Sequence, residues 1–249
     1  KLDAELARDE LKPSTRRNYH IVFRSILRTA VEVGLLDTMP AMPSMPKVGH
    51  KVTKPLRRGD LEAILAVASP GARLAFGLAA FAGLRAGEIR GLRWPDIDLK
   101  VGTITIRRSV SRGEESTPKS GNQEVLPIVP SLRSLLEAAQ ASRENPWANV
   151  AVNHKREVWG EWGLRQAFQR ARDRAGRDTW SFHDLRHFFI SELFRKGAPA
   201  SAIQSLARHA DLGTTQRYAD VDANDLRDAI NRLDGNGVEM TARDANTKS

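Results

Sequence analysis

Four prolines fall within sixteen residues, at positions 40, 43, 46 and 55. That density rules out a continuous helix or a central strand, because each proline fixes its own φ, lacks an N–H and restricts the residue before it. Interspersed with Lys47, Gly49, Lys51 and Lys54, the stretch from 38 to 56 reads as an extended basic connection. The chain is thereby divided into a short leading segment and a long following one, and its length suffices for one good-sized core or two smaller ones.

The leading segment carries one amphipathic helix. Between Thr15 and Val33 the apolar positions Tyr19, Val22, Ile26, Ala30 and Val33 recur at helical spacing, and Gly34 stands where such a helix ends. The following segment predicts helices over 60–68, 73–81 and 86–92. Thr103-Ile104-Thr105-Ile106-Arg107 then alternates strictly, and Glu124-Val125-Leu126-Pro127-Ile128 is β-rich after a Ser-Gly-Asn turn, so the two pair in a small antiparallel sheet. Leu132, Leu135, Leu136 and Ala139 form one helical stripe and Leu164, Phe168 and Ala171 another, while Ser181 to Lys196 is a helix closed by Gly197. All else is read as helix, including a last one with Leu226, Ala229, Ile230 and Leu233 on one face before a polar tail. The fold class is mostly α with a small antiparallel β-sheet, α+β.

Lysine and arginine number 39 against 30 acidic residues, a formal charge of +9 in 249 residues. That excess favours a polyanionic partner, with nucleic acid the first candidate. The absence of cysteine excludes disulfides, thiolate metal sites and cysteine nucleophiles. No stretch approaches the roughly 20 apolar residues of a membrane span and no signal peptide is present, so a cytoplasmic, nucleoid-associated protein without a membrane partner is expected. Lys1 in place of Met reads as the continuation of a longer chain.

The chemistry concentrates in a few short motifs. Ala207-Arg208-His209-Ala210-Asp211-Leu212-Gly213-Thr214-Thr215-Gln216-Arg217-Tyr218 places a tyrosine nine positions after a histidine and directly after an arginine. Upstream lie His183-Asp184-Leu185-Arg186, Gly83-Leu84-Arg85-Ala86-Gly87-Glu88-Ile89 and Thr117-Pro118-Lys119-Ser120-Gly121. With Ser181 as N-cap, His183 and Arg186 share one face of the first helical turns, where free N–H groups, the macrodipole and a guanidinium fork all favour a phosphate. Arg85 sits between glycines and is projected by a turn, and Lys119 lies in a hairpin turn. Taken singly, each group has an ordinary structural role as well: a surface arginine, a solvated lysine, a half-buried core tyrosine. His183 and His187, four apart on a helix, also match the spacing of a zinc pair, but no glutamate base or third ligand accompanies them.

Taken together, these motifs resemble the tyrosine recombinases, the phage integrase family, over about residues 12 to 233. The resemblance assigns catalytic roles to Arg85, Lys119, His183, Arg186, His209 and Tyr218. It implies that Tyr218 attacks a DNA phosphate to give a 3′-phosphotyrosyl ester and a free 5′-hydroxyl, while Arg85, Arg186 and His209 neutralise the phosphorane. A free phenol ionises near pH ~10, so His183 is assigned as proton acceptor and Lys119 as general acid to the leaving 5′ oxygen. It implies no metal and no other cofactor, and exchange through a Holliday junction in a homotetramer on double-stranded attachment or core sites, with accessory DNA-bending or directionality proteins as further partners. It divides the chain into the end of a helical core-binding domain (1–46), a basic linker (47–56) whose Lys47, Lys51 and Lys54 contact DNA, a catalytic domain (57–222), a C-terminal helix (223–235) docking in cis or in trans, and a polar tail (236–249). Three positions depart from the family pattern: Arg208 replaces the Gly before the last His, Gly213 stands where Ser or Thr is common, and Glu124 where Arg is usual. A type IB topoisomerase and a non-catalytic DNA-binding regulator are the alternatives.

Overall fold

The computed structural model describes residues 11–47, 54–116, 124–142, 148–177 and 179–208. The chain separates into two compact units, residues 1–53 and 54–249.

The first unit holds α1 (Pro13–Glu32), with proline in its first turn, where the missing N–H has no intrahelical partner to lose. The helix stops as predicted, with Gly34 at φ 75°. Its predicted apolar stripe is open to solvent, with Tyr19, Val22, Ile26 and Val33 between 50% and 63% exposed, whereas His20 is buried. Past the helix, residues 39–47 have no regular structure, as the prolines require.

The second unit is organised around α3 (Pro70–Ala82), which packs against α2 (Arg58–Val67), α4 (Ala86–Gly91), α5 (Pro130–Ala141), α6 (Gly163–Arg174) and α7 (Asp184–Arg195). Phe76 of α3, Phe168 of α6 and Phe182 form an edge-to-face triangle with centroids 5.3, 6.1 and 6.2 Å apart, the arrangement that aromatic quadrupoles favour. The stripes read from sequence are the buried ones: Leu132 and Leu136 in α5, and Leu164, Phe168 and Ala171 in α6. At the start of this unit the Trp180 indole N–H donates to the Lys54 carbonyl at 2.7 Å.

A three-stranded antiparallel sheet comprises β1 (Ile97–Asp98), β2 (Thr103–Ile106) and β5 (Glu124–Pro127), in the order β1-β2-β5. The predicted pairing holds, in the register Thr103↔Pro127 to Ile106↔Glu124. A hairpin absent from the sequence reading adds β3 (Ser109–Ser111) and β4 (Glu114–Ser116). Its strands are too polar to show a buried face, and its turn signal is Arg112-Gly113, both at positive φ (52° and 82°), the condition for a two-residue type I′ connection. Helix α4 lies flat on this hairpin, because Gly87 and Gly91 present no side chain: a Cβ at Gly87 would fall 2.4 Å from Ser109 Oγ, and one at Gly91 3.0 Å from the Arg108 carbonyl.

The expectation that all else is helical fails between 148 and 162. That segment is irregular and carries two isolated bridges, Arg93↔Asn149 and Val152↔Val158. The Asn153 side-chain oxygen accepts from the Lys155 and Glu157 amides, a local turn that competes with helix. A short α8 (Ala200–Ala207) closes the described chain. No described helix is long and apolar enough to cross a membrane.

Candidate active site

Arg85 is set at a forced chain reversal. Helix α3 ends at Gly83 in the left-handed region (φ 64°), and a Cβ there would fall 2.5 Å from Phe189 Cδ1, so both backbone and packing require glycine. Arg85 then becomes the N-cap of α4, and its amide donates to Glu88 Oε2 at 2.8 Å. Its guanidinium is half exposed, donating from Nη1 to Glu88 Oε1 at 2.8 Å and from Nη2 to the Arg208 carbonyl at 2.9 Å.

The His183–Arg186 element departs in one detail from the sequence reading. Helix α7 begins at Asp184 with His183 at the N-cap position, not with Ser181. Ser181 instead donates from its amide and hydroxyl to Asp184 Oδ2, each at 2.7 Å, because a carboxylate three residues on captures both donors. His183 and Arg186 still lie three apart at the start of the helix. Arg186 is buried and donates from Nη1 to the Gly83 carbonyl and from Nη2 to the Ala207 carbonyl. The ring of His187 meets that of His183 edge to face, with centroids 4.6 Å apart. Among the described residues no group of three or more His, Asp or Glu gathers as a metal site.

His183 is exposed as a residue, yet partial burial of its ring, with the charges of His187 and Arg186 beside it, pushes its pKa down to about 4. The ring is therefore neutral near pH 7 and able to accept a proton. Burial also lowers His187.

Arg208 stands out in the sequence only as a departure before His209. It ends α8 in the left-handed region, at φ 53° and ψ 46°, a conformation costing a non-glycine residue about 1 kcal/mol. Its side chain is 3% exposed and pairs with Glu88 Oε2 at 2.6 Å and Glu124 Oε2 at 3.1 Å, while Nη2 also reaches the Gly83 carbonyl at 3.0 Å. The two departures Arg208 and Glu124 are thus ion-pair partners. Burial pushes the Glu88 carboxyl up, but the charges of Arg208 and Arg85 and the Arg85 amide outweigh it and hold the group below the ordinary carboxylate value. Burial lowers Arg208 in turn, against the pull of Glu88.

Arg85 and Arg186 are thereby brought to one place, holding the consecutive carbonyls of Arg208 and Ala207 immediately before His209. Lys47 and Lys54 are exposed. Lys119, which falls between β4 and β5, and Lys51, His209, Tyr218 and the 223–235 segment lie outside the described residues. Glu88 was not singled out from the sequence, although Arg-x-x-Glu at a helix start is a legible capping pattern. The burial of the Arg208 side chain had no local sequence signal.

The phage integrase family matches residues 54–225. The chain belongs to this family. The tyrosine recombinase XerC of Rhodospirillum centenum is 31% identical over 239 residues, covering 90% of this chain and 67% of that protein. XerA of Thermococcus kodakarensis is 31% identical over 221 residues, covering 86% and 74%. Among solved structures, the Tn1549 transposon integrase in complex with a circular intermediate DNA shares the fold at TM-score 0.78 and 16% identity, covering 93% of this chain and 83% of that one. A lambda integrase dimer bound to a COC′ core site does so at 0.68 and 22%, covering 88% and 63%. The sequence relatives favour a tyrosine recombinase over the topoisomerase and the regulator.

Proposed function

We propose that this integrase-family chain cleaves and rejoins double-stranded DNA at specific sites, through a 3′-phosphotyrosyl ester on Tyr218 and a Holliday junction. The observation that carries the proposal is the meeting of Arg85 and Arg186 on the consecutive carbonyls of Arg208 and Ala207, with His183 at the start of the Arg186 helix. Two guanidinium groups supply the forked donors that stabilise a trigonal-bipyramidal phosphorane. His183 takes the Tyr218 proton, Lys119 returns one to the leaving 5′ oxygen, and His209 donates to a non-bridging oxygen. Because the tyrosyl ester conserves the energy of the broken bond, a partner strand's 5′-hydroxyl reverses the attack without ATP.

Residues 1–46 act as the end of a DNA-binding helical domain, 47–56 as a linker whose Lys47, Lys51 and Lys54 lie along the phosphates, and 57–222 as the catalytic domain. The apolar stripe of Leu226, Ala229, Ile230 and Leu233 docks on a neighbouring protomer and links the tyrosines of a homotetramer, which works with accessory DNA-bending or directionality proteins. A nicked suicide substrate tests the reading. The chain should form a covalent protein–DNA adduct that survives denaturant, and a chain that binds DNA but traps no adduct is a regulator.

A further inference from the structure

We propose that Arg208 is a positioning residue for Arg85, its buried guanidinium clamping the Glu88 carboxylate that fixes Arg85 at the reacting phosphate. The assignment rests on the reading of this site as a phosphoryl-transfer centre.

A left-handed backbone and a buried guanidinium are both unfavourable alone, so at Arg208 they persist only where the surroundings over-determine them. Here two acceptors and a second carboxylate do so: Glu88 Oε2 at 2.6 Å and the Gly83 carbonyl at 3.0 Å accept from Nη2, and Glu124 Oε2 forms an ion pair with Nε at 3.1 Å. The consequence falls on Glu88. Its Oε1 accepts from Arg85 Nη1, and its Oε2 from both the Arg85 amide and Arg208 Nη2, so neither oxygen is free to rotate away. The Arg208 carbonyl accepts from Arg85 Nη2 at 2.9 Å, closing a ring in which Arg208 tethers Arg85 through its side chain, by way of Glu88, and directly through its main chain.

Charge points the same way. Arg85, Arg186 and Arg208 face the two carboxylates Glu88 and Glu124 around Gly83 and Ala207. With Arg208 present the cluster keeps a surplus positive charge for an anion. Without it the two carboxylates balance Arg85 and Arg186, and Glu88 Oε2 keeps the Arg85 amide but loses its charged donor.

Arg208→Gly is the informative variant, because glycine accepts the left-handed backbone without strain while removing the guanidinium. In the full chain without DNA, amide hydrogen exchange at Arg85 should speed up by about tenfold or more, since that N–H is held by Glu88. On the nicked substrate, single-turnover cleavage should slow by about tenfold or more with affinity changed only a few fold, the signature of a misplaced catalytic group. Arg208→Lys, which keeps the charge but offers no fork, should recover part of both losses. Unchanged Arg85 exchange in Arg208→Gly overturns the proposal, because a residue that merely fills space leaves that amide protected. If wild-type protein traps no adduct while Arg85 exchange still accelerates in the variant, the positioning role stands and the recombinase reading fails. If wild type cleaves and Arg208→Gly matches it in both readouts, the recombinase reading stands and the positioning role fails. Should Arg208→Gly not fold, the Arg85 exchange rate in Arg208→Lys decides, with a wild-type rate counting against the proposal.

Discussion

Glu88 Oε2 lies 2.6 Å from Arg208 Nη2, joining the first turn of α4 to a residue 120 positions later in the chain. This pair ties the end of α8 to the helix that Arg85 caps. Covalently distant motifs become one site because a buried carboxylate between two guanidinium groups has few tolerable alternatives.

Removing that carboxylate should be expensive. Glu88→Gln leaves Arg208 with Glu124 and the Gly83 carbonyl and strips Arg85 of its charged partner, so thermal or urea unfolding should register a loss of roughly 2–4 kcal/mol. The acid dependence has the same origin. The folded-state pKa of Glu88 is depressed, so its contribution is present above the unfolded value of 4.5 and is lost as pH falls through the lower folded value. A midpoint that falls in acid for wild type, and less so for Glu88→Gln, is the expected pair of curves.

His183 should titrate far below an ordinary histidine. In the DNA-free protein its imidazole signal is expected to move with a midpoint near pH 4, and His187→Ala should raise that midpoint by removing a neighbouring charge. The unfolded chain takes up the proton first, so the stability contributed by the neutral ring is complete above 6.5 and declines between 6.5 and 4. An NMR midpoint near 6.5 would instead contradict the desolvation and the neighbouring charges of His187 and Arg186 that hold the ring down, while still leaving a base suited to neutral pH.

Sequence alone exposed the helices with one buried stripe and the β2–β5 pairing, because burial on one face leaves a period in the residues. It exposed Arg85, His183 and Arg186 because glycine punctuation and helix-start positions are local signals. The clamp on Glu88 was not legible: it joins residues 88, 124 and 208, and nothing near Arg208 says that its side chain turns inward. The β3–β4 hairpin escaped for a different reason, being polar on both faces. Segment 148–162 defeated the helical expectation because Asn153 bonds the backbone locally, which periodicity does not report.

Gly83→Ala should disturb the site without touching a reacting group. The added methyl would meet Phe189 Cδ1 at 2.5 Å on a backbone at φ 64°, and the Gly83 carbonyl is the shared acceptor of Arg186 and Arg208. A loss of about 2–4 kcal/mol in unfolding free energy is expected from strain and overpacking together, with cleavage slowed more than DNA affinity is weakened.

DNA affinity should fall steeply with salt through counterion release. Replacing Lys47, Lys51 and Lys54 together by Ala should reduce the slope of log affinity against log salt by about 2–3, close to one for each phosphate that a lysine no longer neutralises. An unchanged slope in a titration by fluorescence anisotropy would assign the phosphates to other side chains.

Tyr218 is the residue expected to become covalently joined to DNA, and on that bond the proposed activity depends. The chain has only two tyrosines, Tyr19 and Tyr218, so the assignment can be read without ambiguity from the adduct itself. After trapping on a nicked suicide substrate, nuclease and protease digestion followed by mass spectrometry should find the residual nucleotide on the peptide containing Tyr218, and Tyr218→Phe should yield no adduct while binding DNA within a few fold of wild type. A nucleotide mapped to Tyr19 or to any other residue, or an adduct that persists in Tyr218→Phe, would contradict the proposed mechanism.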